Sequence, residues 1–250
     1  MNLNLFEKTV IVTGSSRGIG KSIAKTLISE GCNVVINGRK NSDLKKAQNE
    51  IGNNVKTFAG DVSDPKICKS LVKFTVKTFG KLDFLVCNVG SGKSISPGKE
   101  TQKEWQKMLE INLQSATNII EASKIELSKT KGSILCISSI AGMNVLGAPI
   151  PYSVSKSALN TYVKCSARPL GEKNIRINAI APGNIMFEGS VWEKKKKKNP
   201  SLVKKLLKNE VSLHRFGTPT DIANLAAFLS SPKSSFITGS IYVVDGGQIK

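Results

Sequence analysis

Tyr152 and Lys156 place a phenol and an ammonium group four residues apart, in the segment PYSVSK that begins at Pro151. In a helix this spacing stacks both side chains on one face, about one turn apart. A free tyrosine has a pKa of about 10, and a shift to about 7 requires roughly 4 kcal/mol of phenolate stabilisation. A fixed neighbouring cation supplies such stabilisation. The pair is therefore a candidate proton donor and acceptor, provided that the rest of the chain builds a site around it.

A glycine-rich loop comes early in the chain. Residues 13–20 read TGSSRGIG and lie between an apolar segment and a helical pattern. Glycines allow the backbone to turn tightly and to approach a pyrophosphate, which the positive end of a helix attracts. The spacing is Gly-x-x-x-Gly-x-Gly. Its position after a first strand and before a first helix favours a dinucleotide site over a plain turn.

The elements that must position these residues alternate along the chain. Strands are predicted at 8–13, 33–37, 55–59, 82–87, 133–137, 175–180 and 241–244, and helices at 18–30, 42–51, 65–79, 101–127, 151–170 and from about 220. Asp64 is the predicted N-cap of the third helix and Pro65 its first residue. This alternation indicates βαβ units, and the apolar strands indicate a parallel sheet buried on both faces. We predict one α/β domain over residues 1–250, a doubly wound parallel sheet of about seven strands with helices on both faces.

The charge of the chain favours anionic partners. Among its 250 residues the net charge is +19, which suits nucleic acid, an acidic protein or a phosphorylated small molecule. The lysines are spread along the chain, aromatic residues are only 6%, and no nucleic-acid-binding motif is present. Nucleic acid is therefore the least favoured of the three partners.

The sequence gives little support for a metal site, for disulfides or for a membrane-spanning segment. The five cysteines are scattered without a Cys-x-x-Cys pair, which favours ordinary reduced thiols over a zinc site or disulfides. His214 is the single histidine and is assigned a structural role, so we expect no metal. No apolar run is long enough to span a bilayer, and the N-terminus lacks a signal-peptide pattern. We expect a cytoplasmic protein.

Further motifs along the chain match one known family. They are CNVG at 87–90, Asn112 in Ile-Asn-Leu, Ser139 in Ile-Ser-Ser-Ile thirteen residues before Tyr152, and the pair Pro182 and Gly183. With the glycine loop, they make the whole chain resemble the short-chain dehydrogenase/reductase family, particularly its 3-oxoacyl-[acyl-carrier-protein] reductases, which have a Rossmann-like fold. Cys87 and Val89 depart from the usual Asn and Ala. Pro169 falls in the predicted helix at 151–170, where we expect a bend or an early end.

The resemblance implies a catalytic set of Ser139, Tyr152, Lys156 and Asn112. Tyr152 would be the general acid in carbonyl reduction and the general base in alcohol oxidation. Lys156 would lower the pKa of Tyr152 and hold the nicotinamide ribose. Ser139 would bind the substrate oxygen, and Asn112 would hold a water that links Lys156 to solvent.

The end of the second strand predicts NADP(H) as the cofactor. The sequence there is NGRK at 37–40, without the carboxylate that favours NAD. Arg39 offers a fork of donors to a 2′-phosphate, and Arg17 is a second nearby cation. The cofactor-binding set that the resemblance implies is Gly14, Ser16, Arg17, Gly18, Ile19, Gly20, Arg39, Asp61, Val62, Asn88, Gly90, Tyr152, Lys156, Pro182, Gly183 and Ile185.

The substrate is the least determined part of this interpretation. Residues 184–216 occupy the place of the family's substrate lid, and the run Lys194 to Lys198 is either a solvated face or an attraction for an anionic partner. The leading substrate is a 3-oxoacyl thioester on an acidic acyl carrier protein, and the alternative is an alcohol or keto group on a sugar or nucleotide-sugar. A non-catalytic NADP(H)-binding regulator is a third hypothesis, against which the four intact catalytic positions argue. The resemblance also implies a homotetramer.

Overall fold

Seven apolar strands form one fully parallel sheet in the computed structural model, which describes residues 2–52 and 55–249. The strands are β1 (Thr9–Val12), β2 (Asn33–Gly38), β3 (Val55–Ala59), β4 (Phe84–Cys87), β5 (Ser133–Ile137), β6 (Arg176–Pro182) and β7 (Ile241–Val244). Their order is β3-β2-β1-β4-β5-β6-β7. The order reverses between β1 and β4, and ligands of such sheets bind at the carboxyl ends of the strands flanking that point. The domain predicted over 1–250 includes Met1, Asn53, Asn54 and Lys250, which lie outside the described residues.

The described part of the chain has nine α-helices, six of which cover the two faces of the sheet. The nine helices are α1 (Gly18–Ser29), α2 (Asn41–Ile51), α3 (Pro65–Phe79), α4 (Gln102–Leu109), α5 (Ser115–Thr130), α6 (Ile150–Gly171), α7 (Val191–Lys198), α8 (Pro200–Glu210) and α9 (Pro219–Ser230). Successive residues of β1 point to opposite faces: Val10 and Val12 pack with α1, α2 and α9, whereas Ile11 packs with α3, α5 and α6. The predicted doubly wound sheet with helices on both faces is confirmed.

The third helix shows why local signals predicted its limits well. The Asp64 side chain accepts a hydrogen bond from the backbone N of Lys66 at 2.7 Å, and Pro65 follows as the first helical residue. At the other end Gly80 adopts a left-handed conformation with φ of +78°. Both boundaries follow from side-chain capping and glycine chemistry that need no tertiary contact.

The helix predicted over 101–127 is present but contains a π-helical turn that the sequence did not predict. The structure has α4, then a π-helical turn over Glu110–Gln114, then α5. Asn112 sits in the turn, and its Nδ2 donates to the carbonyl of Met108 at 3.1 Å. A π turn places one extra residue in the helical ladder and is frequent at functional sites.

The helix that carries Tyr152 continues past Pro169. We expected a bend or an early end at Pro169. The early end is not found, because α6 ends at Gly171, two residues beyond the proline. Separately, none of the described helices combines the length and the apolar content needed to cross a membrane.

Candidate active site

The first turns of α6 carry Tyr152 and Lys156 on one face, and the end of β5 brings Ser139 to them. Ser139 directly precedes a 3₁₀ turn over Ile140–Gly142, and its Oγ accepts from the backbone N of Ala141 at 3.2 Å. The Ser139 hydroxyl also interacts with the Tyr152 phenol. Three of the four residues of the predicted catalytic set therefore meet at the carboxyl end of β5.

Lys156 is buried, with 3% of its surface exposed. Its Nζ donates to the carbonyl oxygen of Ile137 at 2.7 Å. Burial lowers the pKa of this ammonium from 10.5 to about 8, because desolvation disfavours the charged form. The lysine is therefore still a cation at neutral pH but is easily deprotonated at mildly alkaline pH.

The phenol of Tyr152 does not show the lowered pKa that its spacing from Lys156 predicted. Burial raises its pKa above 10.0, and the contact with Ser139 opposes that rise only in part. The phenol is therefore protonated at neutral pH, which is the form that donates a proton.

Asn112 lies beside the same cluster and is fully buried. Its Oδ1 accepts from the backbone N of Ser91 at 2.9 Å, and its Nδ2 donates to the carbonyl of Ser91 at 3.2 Å. A Cβ built on Gly90 would lie 3.0 Å from Asn112 Oδ1 and 3.0 Å from Lys156 Nζ. The missing side chain at Gly90 thus lets the loop after β4 reach both polar groups.

Gly142 sets the distance between β5 and α6. A Cβ on this residue would lie 2.6 Å from the backbone carbonyl carbon of Lys156 and 2.8 Å from its Cβ. Asn160, one turn further along α6, donates from Nδ2 to the carbonyl of Gly142 at 3.3 Å. The loop that carries Ser139 therefore rests directly on the helix backbone at Lys156.

Replacing Gly142 with alanine is expected to destabilise the fold by about 1–3 kcal/mol and to lower activity, because the added methyl pushes α6 away from Ser139. Urea unfolding and steady-state kinetics measure the two effects. Gly171→Ala is the matched control on α6, since, among the described residues, a Cβ there would meet nothing within 4 Å beyond its chain neighbours and the adjacent helix backbone. Equal losses in both variants would contradict this role of Gly142.

The glycine loop at 13–20, which we call the phosphate loop, leads into an open helix end. Among the described residues, no side chain caps the N-terminus of α1. Gly14 and Gly18 have φ of +61° and +56°, and a Cβ on Gly20 would lie 2.4 Å from Asn88 Nδ2. The loop therefore needs glycine at these three positions and leaves backbone donors free, so a dinucleotide diphosphate fits it.

Asn88 supports the phosphate loop from the side of β4. Its Nδ2 donates to the carbonyl of Gly14 at 2.9 Å and to that of Thr13 at 3.1 Å. Its backbone N donates to the Thr13 hydroxyl at 3.0 Å. The side chain of Asn88 is thus engaged in holding the loop in place.

The end of β2 places Arg39 at the edge of the same crevice. Arg39 is 77% exposed, and its Nη1 lies 3.9 Å from Oδ2 of Asp61. Ser16 of the phosphate loop lies against Gly38, the residue before Arg39, since a Cβ on Gly38 would lie 3.6 Å from its Oγ. A carboxylate is therefore near Arg39 after all, supplied by the loop after β3. The side chain of Val62 packs in the core.

The segment after β6 closes the crevice. Gly183 donates its N–H to the carbonyl of Val244 at 3.0 Å, and a Cβ there would lie 2.7 Å from Cβ of Asp245. Ile185 forms a parallel bridge with Gly217. Pro182 ends β6, so this part of the predicted cofactor set lies beyond the carboxyl end of the sheet.

Comparison with known proteins places this geometry in a family. The family model described as enoyl-(acyl carrier protein) reductase, which covers short-chain dehydrogenases/reductases, matches residues 14–248. A 3-oxoacyl-[acyl-carrier-protein] reductase FabG of Staphylococcus aureus (strain Mu50 / ATCC 700699) is 35% identical over 96% of this chain and 98% of its own length. The chain belongs to the short-chain dehydrogenase/reductase family.

Two solved structures resemble this short-chain dehydrogenase/reductase over nearly its full length. A 7α-hydroxysteroid dehydrogenase complexed with NADH and 7-oxo glycochenodeoxycholic acid has a TM-score of 0.91 and 32% identity, covering 99% of this chain and 96% of the other. The L-sorbose reductase of Gluconobacter frateurii, complexed with NADPH and L-sorbose, has a TM-score of 0.93 and 28% identity, covering 100% and 99%. This short-chain dehydrogenase/reductase is an oxidoreductase that acts on alcohol or carbonyl groups, and a nicotinamide cofactor is supported.

Two contacts of the site in this short-chain dehydrogenase/reductase were missed from the sequence. They are the hydrogen bond from Lys156 to the Ile137 carbonyl and the close packing of Gly142 against the backbone of α6. A backbone carbonyl has no sequence signature. Gly142 had a weak one, as a glycine three residues after Ser139. Across residues 2–52 and 55–249, no group of three His, Cys, Asp or Glu side chains is placed to hold a metal ion.

Proposed function

We propose that the chain transfers a hydride between NADP(H) and a carbonyl or secondary-alcohol carbon, with Tyr152 as the proton donor and acceptor. The observation that carries the proposal is the meeting of Tyr152, Ser139 and the buried Lys156 at the carboxyl end of β5. When bound, the nicotinamide supplies the hydride chemistry. The protein supplies orientation, a protonated phenol and a nearby cation.

The protonation states favour carbonyl reduction near neutral pH. Because the pKa of Tyr152 is raised, the phenol is protonated and acts as a general acid toward the substrate oxygen. The Ser139 hydroxyl donates a hydrogen bond to the same oxygen and stabilises its developing charge. Lys156 stabilises the phenolate that remains after proton transfer, and Asn112 orders the water through which Lys156 reaches solvent.

Arg39 is the residue that we propose selects NADP(H) over NAD(H). Its guanidinium is exposed at the end of β2, and its distance to the Asp61 carboxylate is long, at 3.9 Å. Charge-assisted hydrogen bonds from a guanidinium fork suit a 2′-phosphate. We place the other predicted nucleotide contacts around the phosphate loop, at Asp61 and Val62, and beyond β6.

Replacing Arg39 with aspartate is expected to lower the preference for NADPH over NADH by about 10- to 100-fold, since a hydrogen bond to a charged group contributes about 1.5–3 kcal/mol. The measurement is the ratio of kcat/KM for the two nucleotides. Lys40→Ser is the matched control, because Lys40 is the next residue and is also exposed. An unchanged ratio in Arg39→Asp would move the specificity to another residue.

A 3-oxoacyl thioester is the substrate that we propose first. A FabG reductase is 35% identical to the chain. The lid at 184–216 carries Lys194 to Lys198, which suit an acidic carrier protein. A cleft of about 670 Å³ has Val145 and Leu146 on one side and the C-terminal end of α8 on the other. Val145 and Leu146 lie in the loop that joins Ser139 to Tyr152.

A sugar substrate is the second candidate, favoured by the 0.93 TM-score to an L-sorbose reductase. One panel decides between the two. NADPH oxidation is followed with acetoacetyl thioesters of coenzyme A and of acyl carrier protein, with keto-sugars and with simple ketones. Turnover of thioesters alone supports the first candidate, and turnover of keto-sugars alone replaces it with the second. Nucleotide binding without turnover of any carbonyl would support a non-catalytic regulator.

The homotetramer and the cytoplasmic location stay predictions. Large apolar side chains are exposed on α5, on α6 and around β7, at Ile125, Val154, Phe236 and Val243. These faces suit subunit contacts. Light scattering measures the mass of the assembly, and cell fractionation tests the location.

A further inference from the structure

Phe187, five residues after the end of β6, lies on the phosphate loop. A Cβ built on Gly18 would lie 2.6 Å from Cε2 and 2.7 Å from Cζ of the Phe187 ring. Gly18 also has a left-handed backbone, with φ of +56°. The ring packs in addition against the core on the α1 side of the sheet. The ring can therefore occupy this position only because residue 18 is a glycine, at the start of α1.

The turn behind Phe187 is held by the N-terminal cap of α7. The backbone N of Ser190 donates to the Phe187 carbonyl at 3.0 Å, and Ser190 Oγ accepts from the N of Glu193 at 3.0 Å. Gly189 donates its N–H to Glu193 Oε2 at 2.7 Å. A Cβ on Gly189 would lie 3.6 Å from Nη1 of Arg17. The first turn of the lid thus touches the phosphate loop at Gly18 and at Arg17.

A separate contact joins α7 to the segment before α9. The rings of Trp192 and Phe216 have centroids 5.4 Å apart, and Lys195 Nζ lies 4.5 Å from the centroid of the Trp192 ring. This contact does not involve the phosphate loop. Loss of the Phe187 ring would therefore release one attachment of the lid and leave the other in place.

We propose that Phe187 is a positioning residue that fastens the lid to the phosphate loop, so that lid closure and nucleotide binding are coupled. The proposal rests on the proposed nucleotide site and adds the side chain through which the lid responds to it. A ring over Gly18 limits water at the N-terminus of α1, and hydrogen bonds from backbone N–H groups to an anion are stronger where water is excluded. A ligand shifts a conformational equilibrium only by its different affinity for the two states, and this shielding provides that difference.

Replacing Phe187 with alanine is expected to raise the Kd for NADPH about tenfold, which corresponds to partial loss of one buried aromatic contact. The fluorescence emission of NADPH, followed during a titration with the protein, measures the Kd. Limited trypsin digestion gives a readout that does not depend on activity, because Lys194 to Lys198 lie in α7. NADPH should slow cleavage at these lysines in the wild type and protect Phe187→Ala much less. Phe187→Leu, which keeps a large apolar side chain, should restore most of both effects.

The chain offers a closely matched control in Phe6. A Cβ on Gly31, with φ of +82°, would lie 2.7 Å from Cδ2 of the Phe6 ring. Phe6 precedes β1 and so lies at the amino end of the sheet, opposite the nucleotide site. Phe6→Ala should change neither the Kd for NADPH nor the protection of the lid. Thermal unfolding of each variant separates these effects from loss of stability.

Three results would overturn the proposal. The first is that Phe187→Ala binds NADPH as tightly as the wild type or more tightly. The second is that NADPH protects the lid of Phe187→Ala from trypsin as well as it protects that of the wild type. The third is that Phe6→Ala shows the same losses as Phe187→Ala. If the wild type bound neither NADPH nor NADH, the nucleotide site and this proposal would fail together. Turnover of Tyr152→Phe bears on the proposed reaction alone, so the two failures can be told apart.

Discussion

Tyr152→Phe is expected to lower kcat by about 10³-fold, within the range for removal of a positioned general acid. The substitution removes one oxygen and keeps the ring, so the packing of this side chain at the start of α6 is retained. The phenol of Tyr152 has a raised pKa and contacts Ser139, so it is protonated and in place to donate. Phenylalanine has no hydroxyl and cannot donate this proton. Stopped-flow or steady-state oxidation of NADPH measures the loss, and NADPH emission should give a Kd within about twofold of the wild type.

Tyr162→Phe is the matched control for this variant. Tyr162 lies on the same helix, is partly buried, and has a pKa raised to about 12 mainly by desolvation. A raised pKa by itself therefore does not distinguish the two tyrosines, whereas the contact with Ser139 does. Near-normal turnover in Tyr152→Phe, or an equal loss in Tyr162→Phe, would remove Tyr152 from its proposed role.

Lys156→Met is expected to abolish most turnover and yet to stabilise the fold by about 2 kcal/mol at pH 7. The lowering of the pKa from 10.5 to about 8 corresponds to about 3 kcal/mol of cost for the buried charge. Lys156→Met removes this cost but also loses the hydrogen bond to Ile137, which lowers the expected gain in stability by about 1 kcal/mol. Urea unfolding measures the stability, and the opposite signs of the two effects would show that Lys156 is kept for function.

The pH dependence of stability gives Lys156 a second signature. The folded-state pKa lies below the unfolded value, so the unfolded chain binds more protons between about pH 8 and pH 10.5. The stability of the wild type should therefore rise relative to Lys156→Met across this window, with the full cost of the charge present below it. Lys164→Met, at an exposed position of the same helix, is the control variant. A parallel pH dependence in the wild type and Lys156→Met would contradict the lowered pKa.

The parts of the fold that the sequence predicted are those set by local chemistry. Strands buried on both faces read as short apolar runs, and Asp64, Pro65 and Gly80 mark the ends of α3 through capping and backbone conformation. The site was predictable to the extent that its residues sit at the ends of such elements. The phosphate loop follows β1, and Ser139 follows β5.

The parts that the sequence did not predict depend on tertiary packing. The direction of the Tyr152 pKa shift follows from burial, which spacing along the chain does not report. The partner of Lys156 is a backbone carbonyl. Helix α7 has apolar residues only in its first turn, at Val191 and Trp192, and then five consecutive lysines, so periodicity did not mark its limits. The seat of Phe187 on Gly18 joins residues 169 positions apart in the chain.

The wide turn over Glu110–Gln114 acts as a one-residue insertion in an otherwise continuous helical rod. Each residue of an α-helix advances by about 100° around the axis, so one extra residue changes the phase of everything that follows. In consequence α4 packs beside α6, whereas α5 packs beside α3. Anyone transplanting this site into another scaffold must preserve the number of residues between Met108 and Ser115 as well as the identity of Asn112.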